Sequence, residues 1–229
     1  KLGPHSFIVF ENFIYRYYKY HQKLNFIQIG ANDGKSNDPI NFFIKENKKN
    51  VKGYLFEPDP EYYKLLKRNY KKNKNLKIFN LAIHNSLKKN KLYKVKEPIK
   101  NNLPRFLRGV GSFDINHLYK SSHRIDSQFI TQIEVNCINL NEFIFKEQIK
   151  DIDLLIIDTE GYDFDSLNNI DFEKMKPKII RFEHGFKNNV MKTENLILIQ
   201  KKLQSHGYNF IIEKYDITSY LTDYKNFYF

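Results

Sequence analysis

Two short apolar runs, each ending in a polar turn, constrain this chain more than any other feature. Phe26-Ile27-Gln28-Ile29 breaks into Gly30-Ala31-Asn32-Asp33-Gly34, and Tyr54-Leu55-Phe56 ends in Glu57-Pro58-Asp59-Pro60. Runs of about four to eight apolar residues bounded by turn residues read as strands buried on both faces. A helix-sized segment separates the two. Parallel neighbours need such a crossover, and the strand-helix-strand unit is the building block of a doubly wound sheet. In these sheets a glycine turn after the first strand lets the backbone approach a nucleotide. An acid at the tip of the next strand accepts hydrogen bonds from ribose hydroxyls. The expected fold class is therefore α/β, a doubly wound and mostly parallel sheet.

The rest of the chain extends the pattern. From His5 to His21, residues Phe7, Phe10, Ile14, Tyr17 and Tyr18 recur at helical spacing, so residues 1–24 read as a helical extension packed on the sheet. Strand one is expected at Asn25–Gly30, strand two at Gly53–Glu57 and strand three at Leu76–Ala82. Asp38-Pro39 and Asp59-Pro60 each read as a helix N-cap followed by proline in the first turn, opening helices that run to Asn47 and to the basic residues near Lys72. The alternation lapses over 88–138, which reads as an insertion with a half-exposed strand at 91–96, a loop from Pro98 to Gly111 and a strand at Gln132–Ile138. It resumes with a short helix at Leu140–Ile149, strand four at Asp153–Asp158, a helix from Tyr162, strand five at Lys178–Glu183 and a helix at Thr193–His206. Tyr208–Glu213 and Asp216–Thr222 are close enough to pair as an antiparallel hairpin at the sheet edge. A single domain over 1–229 is the expected organisation, which suits a chain of 229 residues.

Composition excludes several classes. No apolar stretch approaches the about 20 residues of a membrane span, and no signal-peptide pattern is visible. The one cysteine, Cys137, lies in the apolar run Ile133–Leu140 and reads as a buried core thiol, with no intrachain partner. A cytoplasmic protein is the expectation. The net charge of +12 is carried largely by Asn-rich runs such as Lys71-Lys72-Asn73-Lys74-Asn75 and Lys88-Lys89-Asn90-Lys91, as expected of solvent-exposed turns. No aromatic and basic RNA-binding module accompanies it, so nucleic acid is not an expected partner.

Ligands of open α/β sheets sit beyond the carboxyl ends of the strands. The polar residues there are Gly30, Ala31, Asn32, Asp33 and Gly34 after strand one, Glu57 after strand two, and Asn80 to His84, including Ala82, after strand three. Strand four contributes Asp158, Thr159, Glu160 and Gly161, and strand five Glu183 and His184. The glycine turn is neither G-x-G-x-x-G nor a P-loop, so it cradles a pyrophosphate poorly, which argues against NAD and ATP. S-adenosylmethionine carries ribose and adenine without phosphate. Its ribose would meet Glu57 and its amino-acid end the turn at 30–34, above Gln28.

Gly30-Ala31-Asn32-Asp33-Gly34, Phe56-Glu57-Pro58, Asn80-Leu81-Ala82 and Ile157-Asp158-Thr159-Glu160-Gly161-Tyr162-Asp163 resemble, in order and spacing, the FkbM family of S-adenosylmethionine-dependent methyltransferases. The resemblance runs from about residue 25 to 215. It implies a class I methyltransferase-like (Rossmann-like) sheet, S-adenosylmethionine as cofactor, and O-methylation of a hydroxyl on a saccharide or related small molecule. Gln28, Gly30, Ala31, Asn32, Asp33, Gly34, Glu57, Ala82 and Asp158 are then the cofactor-binding candidates. One departure stands out: methyltransferases usually carry an acid where this chain has Gln28.

Methyl transfer to an alcohol also needs a proton acceptor or a metal that acidifies the hydroxyl. His184, Asp158 and Glu160 are the catalytic candidates, and Asp158 with Glu160 could supply hard oxygen ligands to a divalent cation. In the insertion, Arg105, Arg108, His117, His123 and Arg124 suggest a pocket for an anionic small-molecule or glycan acceptor. Two other readings stand beside this one. They are an RNA ribose 2′-O-methyltransferase and a degenerate, non-catalytic nucleotide-binding module.

Overall fold

The computed structural model describes residues 8–120, 125–185 and 191–221. His123, Arg124, Phe7 and Thr222 therefore lie outside the described residues.

The main sheet has seven strands. β1 (Leu24–Ile29), β2 (Val51–Phe56) and β3 (Leu76–Phe79) run to one side of the centre; β8 (Leu154–Ile157), β9 (Ile179–Glu183), β10 (Tyr208–Ile212) and β11 (Asp216–Leu221) run to the other, in the order β10-β11-β9-β8-β1-β2-β3. β1, β2, β3, β8 and β9 are parallel, while β11 is antiparallel to both β9 and β10. The strand order reverses between β1 and β8. Ile29 stands opposite both Phe56 and Ile157, so the turns that follow β1, β2 and β8 open side by side. This is the class I methyltransferase-like arrangement. The expected hairpin exists, but only β10 is at the edge; β11 lies inside, between β10 and β9.

Side-chain alternation along β1 explains why both faces are covered. Leu24 and Phe26 pack with α1 (Ile8–His21), α2 (Asn41–Glu46) and α3 (Pro60–Tyr70), through Phe10, Ile14, Tyr17, Phe43, Ile44 and Leu66. Ile27 and Ile29 pack on the other side with α5 (Leu140–Lys146), α6 (Asp163–Asn168) and α7 (Thr193–Ser205). The helix start at Asp59-Pro60 is as expected, with the Asp59 carboxylate accepting from the N–H of Glu61 at 2.8 Å. The other start is displaced. Asp38 accepts from the N–H of Ile40 at 2.9 Å and from Gln28 Nε2 at 3.1 Å, and the helix opens only at Asn41.

The insertion builds a sheet of its own. β4 (Ala82–Ile83), β5 (Lys89–Val95), β6 (Gly111–Ser112) and β7 (Ile130–Ile138) are ordered β4-β7-β5-β6, with α4 (Ile115–Lys120) following β6. Strand three therefore ends at Phe79 rather than Ala82. Asn80 Nδ2 donates to the carbonyls of Glu57 and Pro58, both at 2.9 Å, and the chain leaves the main sheet there. The insertion is tied back to α3 by Lys94, which is buried against the carboxylates of Asp59 and Glu61.

Candidate cofactor and acceptor site

The turn after β1 is built around positions where a side chain cannot stand. Gly30 has φ +79°, and a Cβ there would lie 1.7 Å from the carbonyl oxygen of Asp158. Gly34, at φ +65°, is closed off by Leu66 and Tyr70. Between them Asn32 adopts φ +48°, a left-handed conformation that asparagine tolerates better than most residues. Its backbone N–H donates to Glu57 Oε2 at 2.7 Å, while Glu57 Oε1 accepts from the N–H of Asp59 at 2.8 Å. Burial pushes the Glu57 carboxyl up to about 8, against the pull of those two donors. A carboxylate has about four acceptor sites, so capacity for ribose hydroxyls remains.

The other residues after β1 have local duties. Asp33 accepts from the N–H groups of Lys35 and Ser36 at 2.9 and 2.7 Å and from Ser36 Oγ at 2.8 Å, which fixes the turn. Ala31 is buried in the core beneath it. Gln28 is 3% exposed and donates to Asp38, but its Oε1 has no hydrogen-bond partner among the described residues. The carboxylate beside this position is thus that of Asp38, to which the Gln28 amide donates. The Cβ-free approach at Gly30, the Glu57 carboxyl and an acceptor atom lacking a donor fit a ligand that brings hydroxyls and an ammonium. Ala82 departs from expectation. It pairs with Cys137 in the insertion sheet and packs with Leu92 and Val135, because the chain has already left strand three.

Beyond β8 and β9 the site is crowded with acids. Asp158 is exposed at the tip of β8. The protein packed around that tip and the carboxylates of Glu160, Asp163 and Asp216 hold its carboxyl well above the usual range. Glu183 is raised for the same reasons. Asp163, buried, accepts from the N–H and hydroxyl of Thr159 at 3.2 and 2.6 Å and from the N–H of Glu183 at 3.3 Å, which clamps the turn after β8 to the end of β9. Burial raises it to about 6. Arg181 is 2% exposed and offsets part of this charge through ion pairs with Glu213 and Asp216. Among the described residues no group of three or more His, Cys, Asp or Glu side chains is placed to hold a metal ion.

His184 is buried, with its Nε2 3.1 Å from the carbonyl oxygen of Glu213 and its backbone N–H on the carbonyl of Tyr215. A carbonyl only accepts, so Nε2 carries the proton. The ring braces the end of β9 against the β10–β11 turn, and this nitrogen is not available as a base. The sequence reading missed the imidazole that does reach the turn after β8. His117, on α4, has Nε2 3.3 Å from Glu160 Oε2. A Cβ on Gly161 would lie 2.8 Å from His117 Nδ1. The signal lay in Glu160-Gly161, where both residues take positive φ, +52° and +104°.

Of the insertion's basic residues, His123 and Arg124 lie outside the described residues, and two of the others meet carboxylates. Arg108 faces Glu97 at 3.5 Å and His117 faces Glu160. Arg108 and Gly109 also lie on the cofactor turn: the Arg108 carbonyl accepts from Asn32 Nδ2 at 3.1 Å, and a Cβ on Gly109 would strike the Asn32 side chain.

Residues 28–210 match the methyltransferase FkbM domain. The chain belongs to the FkbM methyltransferase family. It is accordingly an S-adenosylmethionine-dependent methyltransferase. No curated protein is significantly similar to it in sequence. Among solved structures it is similar to precorrin-6y C5,15-methyltransferase from Geobacter metallireducens (TM-score 0.43, 13% identity, covering 87% of this chain and 81% of that one). It is also similar to the METTL16 methyltransferase domain (0.45, 11%, 94% and 68%) and to Aeropyrum pernix fibrillarin with natively bound S-adenosyl-L-methionine (0.43, 9%, 86% and 67%). Among the described residues no helix is long and apolar enough to cross a membrane.

Proposed function

We propose that this FkbM methyltransferase transfers the methyl group to a hydroxyl of a saccharide or related small molecule. The observation that carries the reading is Asp158. It is an exposed carboxyl at the tip of β8, and its own carbonyl oxygen abuts Gly30 of the cofactor turn. An acceptor hydroxyl bonded to Asp158 would stand next to the cofactor's compartment. Alignment of two bound reactants is the main contribution such a site makes to the rate.

The chemistry that S-adenosylmethionine supplies when bound is an electrophilic methyl group on a positively charged sulfur. Glu57 would receive the ribose hydroxyls, with Gln28 and the backbone of 30–34 at the amino-acid end. Asp163 keeps the two acceptor-side strand ends in register, and Asp158 orients the incoming hydroxyl. The carboxylate-rich mouth favours a neutral or cationic acceptor over the anionic one suggested by the insertion's sequence. A cytoplasmic setting belongs to the same reading and is supported by the free, buried thiol of Cys137. Calorimetry with S-adenosylhomocysteine, followed by transfer of a tritiated methyl group to a panel of nucleotide sugars, glycans and RNA, tests it. Binding together with labelling of a hydroxylated small molecule is expected; labelling confined to RNA ribose would overturn it.

A further inference from the structure

We propose that His117, delivered by the insertion, is the general base that removes the acceptor's proton, with Glu160 holding its imidazole in the working tautomer. The inference rests on the reading of the site as a hydroxyl methyltransferase and assigns that reaction a residue from outside the main sheet.

Three observations support it. First, Nε2 of His117 faces the carboxylate of Glu160 at 3.3 Å. A carboxylate accepts, so Nε2 bears the hydrogen and Nδ1 is left with its lone pair. Nδ1 makes no hydrogen bond among the described residues. A base oriented by a carboxylate through its far nitrogen is the arrangement that recurs in acyl-transfer triads. Long contacts in a ligand-free site are normal and tighten when the reactants arrive.

Second, the turn beneath the ring is shaped for it. Glu160 is a non-glycine residue held at φ +52°, a conformation that costs energy and is kept where the surroundings impose it. Gly161, at φ +104°, lies directly under the imidazole, where a Cβ would come within 2.8 Å of Nδ1. Gly161 is exposed, as is Asp158 three residues earlier, while the His117 side chain packed over Gly161 is 8% exposed.

Third, Asp163 is held elsewhere, its carboxyl buried under three donors, and Nε2 of His184 is bonded to the carbonyl of Glu213. Asp158 has protein packed around it and the carboxylates of Glu160, Asp163 and Asp216 beside it, which together raise its carboxyl above the usual range. In the step, the acceptor oxygen forms its bond to the methyl carbon as that carbon leaves sulfur, and the hydroxyl proton passes to Nδ1. The positive charge lost from sulfur reappears on the imidazolium, where Glu160 stabilises it.

Imidazole nitrogen NMR on the full chain with S-adenosylhomocysteine bound decides the tautomer, and His117→Gln identifies the resonance among the seven histidines. The expected result is the tautomer with its hydrogen on Nε2, redistributed between tautomers in Glu160→Gln. A neutral ring with its hydrogen on Nδ1 would overturn the proposal whatever the acceptor. On an acceptor found with the wild type, His117→Gln should lower kcat by about 10²- to 10⁴-fold. KM and the Kd for S-adenosylhomocysteine should stay within about threefold; an unchanged kcat would equally overturn it. Gly161→Ala, which displaces the ring without removing it, should reproduce the kcat loss. If the wild type fails to bind S-adenosylhomocysteine, the methyltransferase reading falls instead, and the NMR result remains readable on its own.

Discussion

At the tip of β2 the carboxyl of Glu57 is gripped by two backbone N–H groups, from Asn32 and Asp59. At the tip of β8 Asp158 instead has Glu160, Asp163 and Asp216 for neighbours, all acids. The first arrangement fixes an acceptor group in space before any ligand arrives, because main-chain donors cannot swing away. The second leaves position to the strand and makes proton occupancy the adjustable quantity. On the proposed reading one half of the site is organised for holding and the other for proton chemistry, and they meet at Gly30.

Gly30→Ala should break both halves at once. The left-handed backbone costs about 1–2 kcal/mol for a side chain, and displacing the Asp158 carbonyl adds a packing penalty of similar size. A loss of about 3 kcal/mol, or about 6–12 °C in Tm, is expected by thermal melting, with cofactor binding abolished; a wild-type melt would refute the junction. Asp163→Ala is expected to cost about 2–3 kcal/mol in urea titration, since it leaves buried donors of Thr159 and Glu183 unpaired. Its effect should fall on the acceptor half, with S-adenosylhomocysteine affinity nearly intact.

The holding half is tested by pH. With Glu57 near 8 when free, the carboxyl is neutral at pH 7, while ribose hydroxyls prefer the charged form. Binding should therefore release a proton, and S-adenosylhomocysteine affinity should rise with pH until it levels off above about 8. Glu57→Gln should bind at least about tenfold more weakly, a difference of about 1.4 kcal/mol, and lose the pH dependence. Calorimetry in buffers of different ionisation enthalpy checks both. The smallest effect belongs to Asp158→Asn. A carboxyl raised on folding favours the folded state at low pH and loses that contribution as pH rises through its folded value. The amide should thus be slightly more stable than wild type at pH 8 and no different at pH 3. The gain should stay below about 1 kcal/mol, because an exposed charge is screened. Equal stability differences at both pH values would show that the crowding does not act.

Much of the holding half was legible in the sequence because its signals are local. Asp59-Pro60 announces a helix by its own capping chemistry, and Glu57 follows directly from the end of an apolar run. The acceptor half depends on contacts between distant segments. His117 and Glu160 are far apart along the chain, and nothing near His117 marks it as more than one cation among several. His184 hides its contact from the sequence for a similar reason. It stands past a strand tip, where a base belongs, but the hairpin that takes its Nε2 begins two dozen residues later. Strand three ends three residues before Ala82, since Asn80 turns the chain out of the main sheet through carbonyls that the sequence does not display.

Asn32 gives its backbone N–H to Glu57 and its side-chain amide to the carbonyl of Arg108. The floor of the cofactor turn and the inner edge of the insertion are therefore hung from a single residue. Occupying the turn stiffens the edge, and prising the edge away deforms the turn. In thermodynamic terms the two substrates should not bind independently: whatever factor the cofactor imposes on acceptor affinity, the acceptor imposes on that of the cofactor.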